Sequence, residues 1–402
     1  MLFKIKSGIW FYRFRAAIFT IVLYLIFPIV ASANIKFGYI GPITGKYSEY
    51  GIGIQRGIEI SVQEYNQEAG NDLKIDIVFK DSGGDINVAL NQLKEFSKDG
   101  ECIVLIFPAL YDSINGLYEM ANRQKITLIS PTPLINAYRT DSAALDNQYV
   151  FENCLTAEDE TSKIANFVIN DMDKKKIAII HSDDNYETSL ASTFSKQIKA
   201  LGGKIIAVEK YKTGDTDFRE QMLSLGGVDP TKIKEREEKK ALPSEINPKG
   251  IESIYIAGSW KEAVLIIPQL IFHELRTFVI GCSKFESPYL IEYGGRSLNG
   301  VVYTTGFFSK KDSKKTKDFV KLFIEKFGRE PDIFAAQAYD TACLILEIIK
   351  LGCSSRDEFK NALLRVKKFE GVTGIISFDN SIRAKRDVTL LLIDSGEVVE
   401  IE

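Results

Sequence analysis

The side chains best placed to do chemistry in this chain sit in turns that follow short apolar runs. In the stretch from Asn34 to Gly70, an apolar strand pattern (Ile35 to Ile40) gives way to Gly, Pro and Thr. A loop bearing Tyr47 and Tyr50 follows, and then an amphipathic helix. A second turn of the same kind, Pro108-Ala109-Leu110-Tyr111-Asp112-Ser113, follows the apolar run Cys102–Phe107. A strand-to-helix turn offers backbone N–H groups, hydroxyls and the positive end of a helix, which suits a carboxylate or another small anion. In an open parallel sheet, ligands bind in the crevice outside the carboxyl ends of the strands, where such turns lie. A plainer role is also open: Ser113, like Thr132 further on, could simply cap the helix that follows.

Motifs for other chemistry are weak. Gly51-x-Gly53-x-x-x-Gly57 follows a strand and opens a helix, but its last glycine is one residue late for a dinucleotide fingerprint. His181 and His273 stand far apart without i, i+4 partners, so no zinc site is expected. Ser259, in Ala257-Gly258-Ser259-Trp260-Lys261, lacks the second glycine of a nucleophile elbow and reads as a helix N-cap. Nothing resembles a catalytic dyad or triad. The expectation is a binder without cofactor or metal, not an enzyme.

These turns need a frame to hold them, and the chain supplies one. Apolar runs at 74–79, 102–107, 126–129, 176–181, 204–208, 253–256, 277–280 and 300–304 alternate with helical patterns at 88–96, 162–172 and 186–201. Capping boxes open several helices: Thr156-x-x-Asp159, Ser259-x-x-Glu262 and Ser355-x-x-Glu358. Alternating strands and helices predict parallel sheets covered on both faces. Two such blocks, 34–153 and 156–304, make two α/β lobes. Two long helices (314–327 and 332–351) and a final β pair (374–378 with 389–393) complete the chain. Residues 226–250, crowded with charge and poor in apolar groups, read as a solvated insertion.

The ends and the composition bound the setting. Residues 1–33 hold Lys4, Lys6, Arg13 and Arg15 and no acid, then an apolar run and Ala31-Ser32-Ala33. That order describes a secretory signal peptide cut before Asn34, although an uncleaved anchor has a similar length. The first cysteine after the leader is Cys102, so no lipid anchor is expected at a mature N-terminus. The full chain has a formal charge of −3, and the leader is basic, so the exported part is more acidic still. An acidic, mixed surface argues against nucleic acid as a partner. Five widely spaced cysteines (102, 154, 282, 343 and 353) give no disulfide framework and suit buried small hydrophobes.

The chain resembles the type I periplasmic solute-binding proteins of the branched-chain amino acid kind. The likeness lies in Ile40-Gly41-Pro42-x-Thr44-Gly45 with Tyr50-Gly51, Asp81, Ile129-Ser130-Pro131, the His181–Tyr186 loop and Gly214-x-x-Asp217-Phe218. It continues through Ala338-Tyr339-Asp340 and Gly371-Val372-x-Gly374-x-x-x-Phe378-Asp379. The segments Ile267-Pro268-Gln269-Leu270, Gly306-Phe307-Phe308, 327–331 and 334–340 are similar to a branch labelled penicillin-binding-protein activator. The resemblance implies two doubly wound parallel-sheet lobes joined by a three-segment hinge. Lobe 1 would be 34–153 plus 307–372, and lobe 2 would be 154–306 plus 373–402, with crossings near 153–156, 304–307 and 372–375.

By the same resemblance, Tyr111 to Ser113 and Ser130-Pro131-Thr132 take the place of carboxylate-binding residues, and Tyr50, Tyr186, Trp260 and Tyr339 line the cleft. There is one departure. The family receives an α-ammonium on an acid just after the strand that ends here at Ile280-Gly281, whereas this chain reads Cys282-Ser283-Lys284. A cation there repels an ammonium group unless Lys284 points away, and Asp112, Asp183 or Asp184 are candidate substitutes. Two functions are implied. One is a periplasmic receptor that delivers a small polar ligand, an amino acid or a related compound, to an ABC permease. The other is a regulator of a penicillin-binding protein built on the same fold.

Overall fold

The computed structural model describes residues 36–68, 75–111, 114–134, 148–227, 249–275 and 277–401. The leader, nearly all of the charged insertion, and Asp112 and Ser113 lie outside the described residues.

The first half alternates as expected: β1 (Lys36–Gly41), α1 (Ser48–Gln67), β2 (Ile77–Asp81), α2 (Ile86–Lys98), β3 (Cys102–Ile106), α3 (Asn115–Gln124), β4 (Thr127–Ser130) and β5 (Val150–Glu152). All five strands run parallel in the order β2-β1-β3-β4-β5. The second half brings α4 (Ala157–Asn166), β6 (Lys176–Ser182), α5 (Asn185–Ala200), β7 (Lys204–Tyr211), α6 (Arg219–Leu225) and β8 (Ser253–Ala257). After these come α7 (Trp260–Phe272), β9 (Phe278–Gly281), α8 (Pro288–Gly294) and β10 (Val302–Thr305). Then follow α9 (Lys314–Phe327), α10 (Ile333–Lys350), α11 (Arg356–Leu364), β11 (Phe369–Gly371), β12 (Gly374–Ser377), β13 (Lys385–Arg386), β14 (Thr389–Asp394) and β15 (Glu397–Ile401). The second sheet has the order β15-β14-β10-β9-β8-β6-β7, with β14 and β15 antiparallel at one edge.

Burial follows the strand period of two. On β1, Phe37 and Tyr39 enter a core with α1 and α10, while Ile40 enters the opposite one with α2 and α3. On β8, Ile254 and Ile256 pack towards α6 and α7, and Tyr255 and Ala257 towards α4 and α5. Each large side chain buried this way contributes about 1.5–3 kcal/mol. The glycine run at 51–57 serves packing: a Cβ on Gly57 would lie 2.1 Å from the Ala335 carbonyl oxygen, so α1 and α10 meet backbone to backbone. All five cysteines are free thiols, and Cys102, Cys154 and Cys282 are buried. Burial raises the Cys102 thiol to about 12.

Three expectations change. The helix expected at 162–172 starts at Ala157 and ends in a π turn, Phe167–Asp171. The strands at 374–377 and 389–394 do not pair with each other: β12 joins β11 and β13 in a small sheet, whereas β14 pairs with β10 and β15. In addition, Ile376, Phe378 and Ala384 pack in the first core, because an apolar β12 finds its cover there. The chain therefore passes to the second sheet between Arg386 and Thr389, later than the boundary at 372–373 read from the sequence.

The crossings are pinned from one helix. On α10, the Gln337 amide donates to the Pro131 carbonyl (3.0 Å), and its oxygen accepts from the Leu155 N–H (2.7 Å). One turn on, the Thr341 hydroxyl accepts from Asn153 (3.0 Å). Between them Asp340 accepts from the N–H groups of Val372 (2.7 Å) and Thr373 (2.9 Å) and from the Thr373 hydroxyl. Arg386 lies 3.8 Å from Asp340, and both are buried; its guanidinium donates to the carbonyl (2.8 Å) and side-chain oxygen (2.7 Å) of Asn153. A Cβ on Gly371 would stand 2.3 Å from the Asp340 carboxylate, so that turn needs glycine. Removing one member of a buried charge pair leaves the other uncompensated. Arg386→Met is expected to lower the unfolding free energy by about 3–5 kcal/mol in urea titration, and adding Asp340→Asn is expected to return part of that loss.

Candidate functional site

The first crossing leaves the carboxyl end of β5 at Glu152, and the second leaves that of β10 at Thr305. These ends of the two sheets therefore adjoin the crossings, and their loops are the candidate walls of a binding site. On the first wall, Asp81 organises the rim. Its carboxylate accepts from the N–H groups of Ile43 (2.9 Å), Thr44 (3.1 Å) and Gly83 (2.8 Å) and from the Thr44 hydroxyl (2.6 Å). That ties the loop after β1 to the loop after β2.

The expected anion turn is braced from behind. Thr132 is buried, and its hydroxyl accepts from the Ala109 N–H (2.7 Å); the Ser130 hydroxyl donates to the Thr132 carbonyl (2.7 Å). Ser130 and Thr132 thus hold the loops after β3 and β4 together, and the residues that a helix cap at Thr132 would serve lie outside the described residues. Tyr111 stacks on Phe107 (centroids 5.2 Å apart, 9° between planes), and its hydroxyl meets that of Ser82 at 2.5 Å. Ser113 lies outside the described residues. Tyr50 is exposed at the start of α1, edge-on to Phe334 at 4.9 Å. Tyr339 is elsewhere: its ring packs on Phe319 at 4.4 Å, and its hydroxyl donates to Glu64 (2.7 Å), between α1, α9 and α10.

The second wall is built from the loops after β6, β8 and β9. Trp260 opens α7, next to the Ser259 capping box, and faces Tyr289 (5.5 Å) and Tyr293 (6.0 Å) of α8. Tyr186 is half-buried at the start of α5; burial, with Glu160 beside it, raises its hydroxyl well above the usual range. Asp183 receives the N–H of Thr213 (2.9 Å) and its hydroxyl (3.1 Å), and Asp184 caps α5 through the Tyr186 N–H (2.9 Å).

Lys284 does not stand alone after β9. Its ammonium is bonded to Glu187 in the first turn of α5; the Lys284 side chain is 41% exposed and that of Glu187 only 3%. Burial alone would lower the Lys284 pKa, but Glu187 outweighs it and holds the pKa above its ordinary value. The repulsion expected from this lysine is therefore largely cancelled by its partner. Glu160, fully buried in α4, accepts the Ser283 N–H (2.9 Å), with the Thr304 hydroxyl beside it.

Sequence reasoning missed Glu160, Glu187, Gln337 and Arg386. Both glutamates lie in the first two turns of helices, where acids are usual on exposed faces, so their burial carried no signal. A hollow of about 1730 Å³ lies along α4 and α5 by the crossings and reaches Pro133 and Leu134 after β4 as well as Tyr186 of the second wall. It is lined by Asp159, Tyr186, Arg383 and Asp387, among others, and by no residue of the 107–111 loop.

A two-lobed α/β body whose sheets meet by their carboxyl ends at a multi-strand hinge is a solute-binding architecture. The comparisons agree, and the chain belongs to the Periplasmic binding protein family, whose profile matches residues 34–397. It is 25% identical over 365 residues to the Leu/Ile/Val-binding protein homolog 1 of Brucella abortus, covering 87% of each chain. A putative branched-chain amino acid ABC transporter structure from Rhodospirillum rubrum superposes with a TM-score of 0.76 at 22% identity, over 91% of this chain and 99% of that one. The substrate-binding protein LivJ of Streptococcus pneumoniae, solved with isoleucine, gives 0.67 at 23% identity, over 92% and 100%.

Burial pushes the Glu160 carboxyl up to about 7. The folded chain thus keeps a proton that the unfolded chain releases near its ordinary pKa of 4.5. The resulting stabilisation is complete below 4.5 and is lost as pH rises towards 7, on the order of 3 kcal/mol. Glu160→Gln keeps an acceptor for Ser283. Urea titrations between pH 5 and 8 are expected to show a shallower decline for the variant than for the wild type, and a more stable variant at pH 8.

Proposed function

We propose that this chain is the periplasmic receptor of an ABC-type importer, exported by residues 1–33. It takes an amino acid or a related small polar compound between its lobes and presents it to a membrane permease. The observation that carries this reading is the pairing of two unlike walls. The turn after β3, its loop braced by Thr132 and its helix end to follow, suits an acid group. The opposite wall gathers Asp184, Glu187, Glu160 and Lys284. Relatives named for leucine, isoleucine and valine binding make an amino acid the natural first candidate.

Binding would draw the lobes together about the three crossings, driven only by the ligand's greater affinity for the closed form. The braced loops mean little of that affinity is lost in ordering the first wall.

Thermal unfolding of residues 34–402 with the twenty amino acids and a set of small carboxylates and amides tests the reading. A ligand at a hundred times its dissociation constant should add about 2.7 kcal/mol, which raises Tm by several degrees. A flat panel, together with capture of a penicillin-binding protein by the same chain, would replace this reading with the regulatory one.

A further inference from the structure

Helix α7 is apolar on two sides, and its own lobe covers only one of them. Ala263, Ile266, Ile267 and Leu270 are buried against α6 and β8. With about 3.6 residues per turn, the other positions fall on the opposite side. Lys261, Leu265, Pro268 and Phe272 form one stripe at i, i+4, i+7 and i+11, with Val264 and Ile271 beside it. All of these except Val264 are exposed, Ile271 at 44% and Phe272 at 80%. The surface continues at the start of the helix, where the exposed Tyr289 and Tyr293 of α8 pack on Trp260. A helix that is apolar all round is ordinarily covered all round, and a contiguous exposed apolar patch marks a contact site. Charge is confined to the two ends of the stripe. Lys261 stands at one end, over the Trp260 ring at 5.8 Å, and Glu274 stands just past the other. Neither has an ion-pair partner among the described residues.

We infer that this face of α7 is an interface between two copies of the chain, packed antiparallel about a two-fold axis opposite Pro268. A contact of that symmetry uses the same patch on both copies, so the patch must complement itself. This one does. The axis sets Leu265 against Ile271 of the second copy and Val264 against Phe272. Lys261 and Glu274 stand about 20 Å apart along the helix, so the same axis brings each lysine to the other copy's glutamate. Each Lys261 also meets the carboxyl end of the opposing helix, where a cation is favoured. A parallel arrangement would instead set Lys261 on Lys261. A lipid surface suits the stripe less well, since helices that lie on membranes carry several Lys or Arg beside the apolar face, and this stripe has one cation and one acid. One helix and its flanking tyrosines make a small interface, so the pairing is weak, with a Kd of the order of 10 μM. The inference is independent of the receptor reading, because it uses no residue that a ligand must touch.

Sedimentation equilibrium of residues 34–402, from roughly 1 to 500 μM, reads the pairing. The wild type is expected to pass from monomer to dimer across that range. Phe272→Glu, at an exposed position outside the core, is expected to raise the dimer Kd at least about tenfold. Lys261→Glu is expected to weaken pairing too, because it sets acid against acid at both ends of the contact. Exchanging the charges, Lys261→Glu/Glu274→Lys, is expected to restore it, and a folding defect could not produce that recovery. A wild type that stays monomeric throughout would overturn the inference. So would a dimer that neither single variant loosens, or a loss in Lys261→Glu that the exchange does not repair. Monomer that sediments with phosphatidylglycerol vesicles, and no longer does so as Phe272→Glu, would assign the face to a membrane surface and overturn it as well. A flat ligand panel leaves it untouched.

Discussion

The buried contact between Asp340 and Arg386 is what the two-lobed arrangement depends on. Asp340 sits on the helix that forms the spine of the first lobe, and Arg386 sits on the last segment before the chain re-enters the second sheet. Through Asn153 the guanidinium also grips the first crossing. A buried charge pair is a poor source of net stability, since desolvation offsets much of the attraction. Its use here is geometric. It fixes where two connecting strands leave one body, and so fixes the axis about which the other can turn.

The same helix reaches the binding wall. Gln337 holds Pro131, which lies between Ser130 and Thr132, and Thr132 in turn holds the loop at Ala109. A chain of short polar links therefore runs from the hinge spine to the loop after β3. The second wall is organised differently, by acids buried at helix starts with too few cations to match them.

Much of this was legible in the sequence. The alternation of apolar runs and helical patterns gave the parallel sheets, because strands buried on both faces are apolar without a break. The capping boxes at Thr156, Ser259 and Ser355 marked helix starts that the structure retains. The glycines at 51, 53 and 57 were visible, yet Gly57 serves its contact with Ala335, far along the chain, and no local pattern announces that. Tyr339 was expected in the cleft from its motif, but the side chain turns into the helix layer, where Glu64 waits for its hydroxyl. The motif matters for Asp340 beside it. Likewise Lys284 reads as a repelling charge until Glu187, nearly a hundred residues earlier, is brought against it. Short-range chemistry was readable; long-range pairing of charges was not.

The cysteines carry a last consequence. Cys102 and Cys282 are sealed in apolar layers and Cys154 is buried among the polar groups of the first crossing, and desolvation raises each thiol well above its usual pKa. Thiol–disulfide exchange runs through the thiolate, so these sulfurs are nearly inert towards oxidants and isomerases while the fold persists. The folded shape is therefore held by helix spines and close backbone contact, with no disulfide among the described residues to break or reshuffle.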